Sequence, residues 1–124
     1  MQRKNVFEKQ YLCVIYKVRR MIMQEVQIQG IIDEFLQISL TGDIHSVNAE
    51  EFYTTVTSAY NQMPANILFD CAELNFLDST ALGTFVKIFK TVKADGRTIK
   101  LINLQAKIKK LFVICSLDTI MEIA

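Results

Sequence analysis

Residues 75–83 read NFLDSTALG. Their chemistry lies in Asp78, Ser79 and Thr80, an acid and two hydroxyls placed where an apolar pair gives way to the helical pattern opened by Ala81, Leu82 and Gly83. A serine nucleophile on a strand–turn–helix elbow takes the form G-x-S-x-G and needs a base. Leu77 stands where that glycine belongs, and His45 is the single histidine, so enzymatic serine chemistry is not expected. A phosphate-cradling loop of the form G-x-x-x-x-G-K-S/T is absent from a chain with four glycines. Two roles remain. As a helix cap, Asp78 or Ser79 would accept hydrogen bonds from the first free amides, worth about 1 kcal/mol. Three polar groups exceed what one cap requires, and a surplus hydroxyl at a helix start is open to phosphorylation.

The elements that must position this trio come from a chain of 124 residues, the size of one domain that buries about two-thirds of its unfolded surface. Half the residues are hydrophobic and 22% are charged, a globular composition. No apolar run approaches the ~20 residues that cross a bilayer. Cys13, Cys71 and Cys115 lie in apolar runs without paired spacing, which predicts buried thiols in a reducing cytosol. With one histidine and no C-x-x-C, no metal site is expected. Residues 1–22 carry Arg3, Lys4, Lys9, Lys17, Arg19 and Arg20 against Glu8, an excess of five positive charges in a chain of net +1. This basic arm suits an extra strand or helix, a contact with nucleic acid or anionic lipid, or residues ahead of a later start at Met21 or Met23.

Val26/Ile28 and Leu36/Ile38/Leu40 alternate, predicting two strands joined by a turn over Gly30 to Glu34, with Gly42-Asp43 ending the second. Ala49, Phe52, Val56, Ala59 or Tyr60, and Met63 then recur at three and four, a helix capped by Ser46 or Asn48 and stopped by Pro64. A buried strand is expected over Asn66–Ala72. After it, Leu82, Phe85, Val86, Phe89 and Val92 form the inner face of a helix whose outer face holds Lys87, Lys90 and Lys93, ended at Asp95-Gly96. A strand over Arg97–Leu104, a short helix with Ile108, Leu111, Phe112 and Cys115 inward, and a small strand over Leu117–Ile123 complete the chain. The order β-β-α-β-α-β-α-β predicts a single α/β domain over 23–124, a mixed four- to five-stranded sheet with helices packed against it.

With these residues in view, the segment from Ala72 to Ile123 resembles the STAS domain, the module of bacterial anti-sigma factor antagonists and of some sulfate-transporter tails. The resemblance rests on Asp-Ser-Thr-x-Leu-Gly (Asp78 to Gly83), the helix closed by Asp95-Gly96, the strand ending in Asn103-Leu104, Lys110 to Phe112, and Ser116-Leu117 before a last aliphatic strand. LTGDI (Leu40–Ile44) matches an earlier element, so the likeness spans about residues 24–124. In the antagonist branch, the resemblance implies, the serine after the motif aspartate is phosphorylated. Here that is Ser79, with Thr80 as a secondary site. The implied partners are an anti-sigma factor that is itself a serine kinase and a phosphoserine phosphatase. The unmodified antagonist holds the anti-sigma factor and so frees the sigma factor. The implied contact residues are Asp43, His45, Asp78, Ser79, Thr80, Leu82 and Gly83. The antagonist carries no catalytic residues and no cofactor, and works in the cytoplasm.

Two departures stand out. The family often has an acid where this chain has His45, which changes the partner surface, and Ala81 replaces a glycine, which firms the first helical turn. A competing expectation is a STAS adaptor subunit of a membrane lipid or anion transport system. The lysines at 87, 90, 93, 107, 109 and 110 are not interleaved with exposed aromatics, so direct nucleic-acid contact is not expected, and neither is membrane association.

Overall fold

The computed structural model describes residues 25–124, so the basic arm over 1–22 and the expected burial of Cys13 lie outside the described residues. Strand β1 (Glu25–Ile32) pairs antiparallel with β2 (Phe35–Ile44). The turn between them is the pair Asp33-Glu34, both left-handed at φ 53° and 70°. This two-residue geometry matches strand twist and normally selects Asn or Gly. The turn is therefore tighter than the Gly30–Glu34 loop the sequence suggested. Gly30, at φ +93°, sits inside β1 at a bulge instead.

Beyond β2 the chain alternates helix and strand: α1 (Ala49–Gln62), β3 (Asn66–Leu77), α2 (Ser79–Lys93), β4 (Ile99–Ile102), α3 (Ala106–Ile114) and β5 (Glu122–Ile123). The strands lie in the order β1-β2-β3-β4-β5, with every pair after the first parallel. Each β-α-β step moves the same way across the sheet. Right-handed crossovers then stack all three helices on one face.

The core lies between that face and the helices. Leu36, Ile38 and Leu40 of β2 alternate into it as expected, joined by Ile67, Phe69, Ile99 and Leu101. From α1 come Phe52, Val56, Ala59 and Tyr60, and from α2 come Ala81, Leu82, Phe85, Ile88, Phe89 and Val92. Four phenylalanines run through it in series: Phe85 lies 5.1 Å from Phe52, 5.3 Å from Phe69 and 5.4 Å from Phe112, centroid to centroid.

Several elements differ from the sequence expectation, each for a local reason. β3 runs on to Leu77, five residues past Ala72, because it carries extra residues opposite Leu40 and again before Asp43. Those bulges break the two-residue period. β4 is confined to Ile99–Ile102. The last strand shrinks to Glu122–Ile123, preceded by a 3₁₀ turn over Leu117–Thr119 that follows Ser116 at φ 60°. In α3 only Ile108 and Phe112 are buried. Leu111 is exposed, and so is Cys115, which lies past the helix end and is not a buried thiol. At the end of α2, Gly96 takes φ +79° and its N–H donates to the Lys93 carbonyl at 2.9 Å. Beside it, the Tyr60 hydroxyl donates to Asp95 at 2.6 Å and accepts from Arg97 at 3.1 Å.

Cys71, fully buried, is the described thiol that does match expectation. Burial, helped by the negative charge of Asp70, pushes it from an ordinary 9.0 up to about 12. Above pH 9 the unfolded chain releases this proton while the folded chain must keep it, so folding loses stability as pH rises from 9 toward 12. At pH 10.5 the loss is expected to be about 2 kcal/mol. Urea unfolding across pH 8–11 measures it, and in Cys71→Ala the alkaline slope should flatten. An unchanged slope would assign it to other groups, Tyr60 first, whose hydroxyl is raised chiefly by burial and next by Asp95, against Arg97.

Candidate functional site

The site forms at the C-terminal ends of β2 and β3. Pairing brings Asp43 opposite Phe76 and Ile44 opposite Leu77, and the Asp78 N–H donates to the Ile44 carbonyl at 3.3 Å. Asp43 and His45 thus lie beside Asp78 and Ser79, although more than thirty positions separate them in sequence. Asp78 is the N-cap of α2. One carboxylate oxygen accepts from the Ala81 amide at 2.9 Å, and the other accepts from the Ser46 amide at 3.1 Å. A single acid caps the helix and clasps the β2–α1 loop to it.

That settles the alternative left open above: Asp78, not Ser79, does the capping. Ser79 is the first helical residue and Thr80 the second, and both are exposed. Among the described residues no side-chain hydrogen bond engages either hydroxyl. The Thr80 carbonyl accepts from the Thr84 hydroxyl at 3.0 Å, an ordinary bond within the helix.

The opposing loop is held from inside by Asn48, 1% exposed. Its amide oxygen accepts from the His45 N–H at 2.8 Å and its amide nitrogen donates to the Asp43 carbonyl at 2.8 Å. Asn48 occupies the N-cap position of α1 as expected, but its side chain turns back into the loop rather than onto the helix amides. His45 is half-buried, and its Nδ1 accepts from the Val47 N–H at 3.3 Å, so the ring folds over its own loop. Gly42, at φ +88°, lies at the bulge immediately before Asp43.

Of the remaining anticipated contact residues, Leu82 lies in the core at 8% exposure, where it seats the first turn of α2. Gly83 is exposed on the helix, with open space where a side chain would stand. Two exposed apolar side chains near the Asp78 clasp in the chain were not anticipated: Val47, next to Ser46, is 67% exposed and Phe76, two residues before Asp78, is 49% exposed. The signal for Phe76 was present: next to Leu77 in a strand, it must point away from the face Leu77 buries. Among the described residues no cluster of His, Cys, Asp and Glu could hold a metal, and no helix is long and apolar enough to cross a membrane.

Removing the clasp should loosen both loops together. Asp78→Ala is expected to cost about 1–2 kcal/mol, the loss of a cap with a second bond attached. Thermal melting checks the total, and amide exchange at Ser46 and Ala81 should rise in step. Faster exchange at Ala81 alone would show that the loop holds without Asp78.

This arrangement presents a free hydroxyl near exposed apolar side chains. The STAS domain family model matches residues 23–124. The anti-sigma-B factor antagonist of Bacillus subtilis (strain 168) is 32% identical over 89 residues, covering 72% of this chain and 81% of its own length. Among solved structures, the Bacillus cell-fate determinant SpoIIAA in its phosphorylated form aligns with TM-score 0.63 at 22% identity, over 81% of this chain and 91% of that one. An anti-sigma factor antagonist from Mycobacterium paratuberculosis aligns with TM-score 0.71 at 14% identity, over 81% of this chain and 84% of that one. The structural likenesses speak for the fold, and the family match with the Bacillus subtilis relative goes further: this chain belongs to the STAS domain family.

Proposed function

We propose that this protein is an anti-sigma factor antagonist of the cytoplasm, a binding module rather than an enzyme, switched by phosphorylation of Ser79. The observation that carries the reading is the division of labour at the start of α2. Asp78 satisfies the helix, which leaves the adjacent Ser79 hydroxyl exposed and uncommitted. The partner is an anti-sigma factor with serine-kinase activity, and a phosphoserine phosphatase resets the switch. The unmodified protein holds the kinase through Ser79, Thr80 and Gly83, with Asp43 and His45 on the facing loop. Val47 and Phe76 supply apolar area at its rim, the kind of buried contact that carries interface energy.

Phosphate at Ser79 is compatible with the fold. Helix N-termini favour anions by roughly 0.3–1 kcal/mol, which offsets repulsion from neighbouring Asp78. The same charge opposes an interface built around a neutral hydroxyl.

Incubation with ATP and the ATP-binding regulator encoded nearest its gene, read by intact mass, tests the reading. One added phosphate is expected, and none in Ser79→Ala, which should still bind the regulator. Phosphate persisting in Ser79→Ala would move the site to Thr80 or beyond. Absence of both phosphate and binding would sink the proposal.

A further inference from the structure

We propose that the outer side of α3 docks on an anionic lipid surface, with Val113 and Ile114 entering the headgroup layer between lysines. Nine large apolar side chains are exposed among the described residues. Four of them, Leu111, Val113, Ile114 and Ile120, fall within ten positions at the end of α3 and the turn after it, a local excess of the kind that marks an interaction surface. Helical spacing of about 100° per residue sorts α3 into two sides. Ile108 and Phe112 point inward and are buried. Lys107, Lys110, Val113 and Ile114 lie roughly 120° or more around the helix from the midpoint of that pair, where a globular helix normally keeps polar groups. Ile114, at 69%, is the most exposed large apolar residue of those described. Only the fold exposes this side, which is why the sequence did not anticipate a membrane contact.

Three features select the occupant. Charge is the first: α3 holds Lys107, Lys109 and Lys110 and no acid. The parallel β-α-β order brings the C-terminal ends of α2 and α3 to the same end of the sheet, so Lys90 and Lys93 in the last turn of α2 add to them. Acids at that end are balanced or distant. Asp95 pairs with Arg97 at 4.0 Å and Glu122 with Lys100 at 3.6 Å. Asp33 and Glu34 lie in the hairpin at the opposite edge of the sheet, which leaves Asp118 against the five lysines. Symmetry is the second feature: a second copy docking through the same side would set these lysines against their own equals, which opposes a dimer. Composition is the third. Protein interfaces draw their energy from Trp, Tyr and Arg and are poor in lysine. The exposed residues of α3 are aliphatic residues and lysines only, and lysine stems let the charge stay among headgroups while the aliphatic groups enter. Ser79 opens α2 at the other end of the sheet, so docking leaves that site free, and this inference is independent of its role.

Cys115, exposed and next to Ile114, reports on the contact in the full chain. In a Cys13→Ser background, where buried Cys71 stays silent, its reaction with a soluble maleimide is expected to slow about tenfold on adding mixed phosphatidylglycerol and phosphatidylcholine vesicles. Phosphatidylcholine vesicles alone should leave it fast. Val113→Asp with Ile114→Asp should abolish the protection, and Lys107→Gln with Lys110→Gln should weaken vesicle binding about 25-fold, about fivefold for each lysine. All four positions are exposed, so both double variants should melt with the parent; if the Asp pair unfolds the chain, the Gln pair decides alone. No vesicle binding overturns the proposal. Binding that leaves Cys115 fast, or that persists with protection in the double variants, assigns the contact to another surface and overturns it too. Protection without vesicles would show the side already covered by this chain or a second copy, and protection by polyglutamate equal to that by vesicles would assign it to an acidic protein. Either result overturns it equally.

Discussion

Ser79→Glu is expected to weaken binding to the anti-sigma factor about 5- to 30-fold while shifting the melting temperature by no more than a few degrees. The argument is electrostatic. A phosphoserine brings about −1.5 to −2 charges, and facing an acidic group about 7 Å away at an effective dielectric of 20–40 it costs about 2–4 kcal/mol, with steric exclusion added. That weakens binding about 30- to 1000-fold, whereas glutamate carries about half that charge and so costs about 1–2 kcal/mol, the smaller effect expected of Ser79→Glu. The fold pays little, because the exposed hydroxyl it replaces holds nothing and the helix amides keep Asp78 as their cap. Calorimetric titration of the regulator against Ser79→Glu and Ser79→Ala, beside melts of both, separates the cases. If Ser79→Glu binds as well as the parent, the phosphate acts elsewhere. If it melts far below the parent, Ser79 is mainly structural.

Phe85→Ala should produce the largest loss of stability in the domain. Phe85 is fully buried, and its ring touches three others, from α1, β3 and α3. Truncating such a residue typically costs about 3–5 kcal/mol, because the apolar transfer energy and the cavity left behind add together. Against a total stability of about 5–15 kcal/mol this is a large fraction, and it corresponds to a fall of roughly 10–20 °C in melting temperature. Phe85→Asp, which buries a charge at the same point, should leave no folded protein. A loss below about 1 kcal/mol in Phe85→Ala would mean the four-ring chain closes over the gap. The proposed switch depends on the same packing, because Phe85 and Leu82 hold the inner face of α2, the helix that begins at Ser79, in the core.

How much of this was legible beforehand differs by feature, and the reason is the range of the interaction. Helix and strand order, the inner faces of α1 and α2, the parallel-plus-hairpin sheet and the motif at Asp78–Gly83 were readable because periodicity, capping residues and turn residues act within a few positions. Their failures were local too. β3 outran its expected end because bulges at its partner's Leu40 and Asp43 disrupt the alternation on which the reading depended. Leu111 and Cys115 were placed inward by hydropathy alone, yet α3 is short and only Ile108 and Phe112 meet the core.

The sequence alone determined which side chains could do chemistry here and that Ser79 stands at a helix start. Only the tertiary structure decided that Asp78 takes the cap and the Ser46 amide together, since the second bond spans thirty-two positions and has no local signature. It decided equally that Asn48 serves the loop rather than its helix, and that Val47 and Phe76 stay in solvent beside the site. Hydropathy records what a residue prefers. Exposure depends on what the rest of the chain brings to either side of it, and that is a property of the packed sheet and helices.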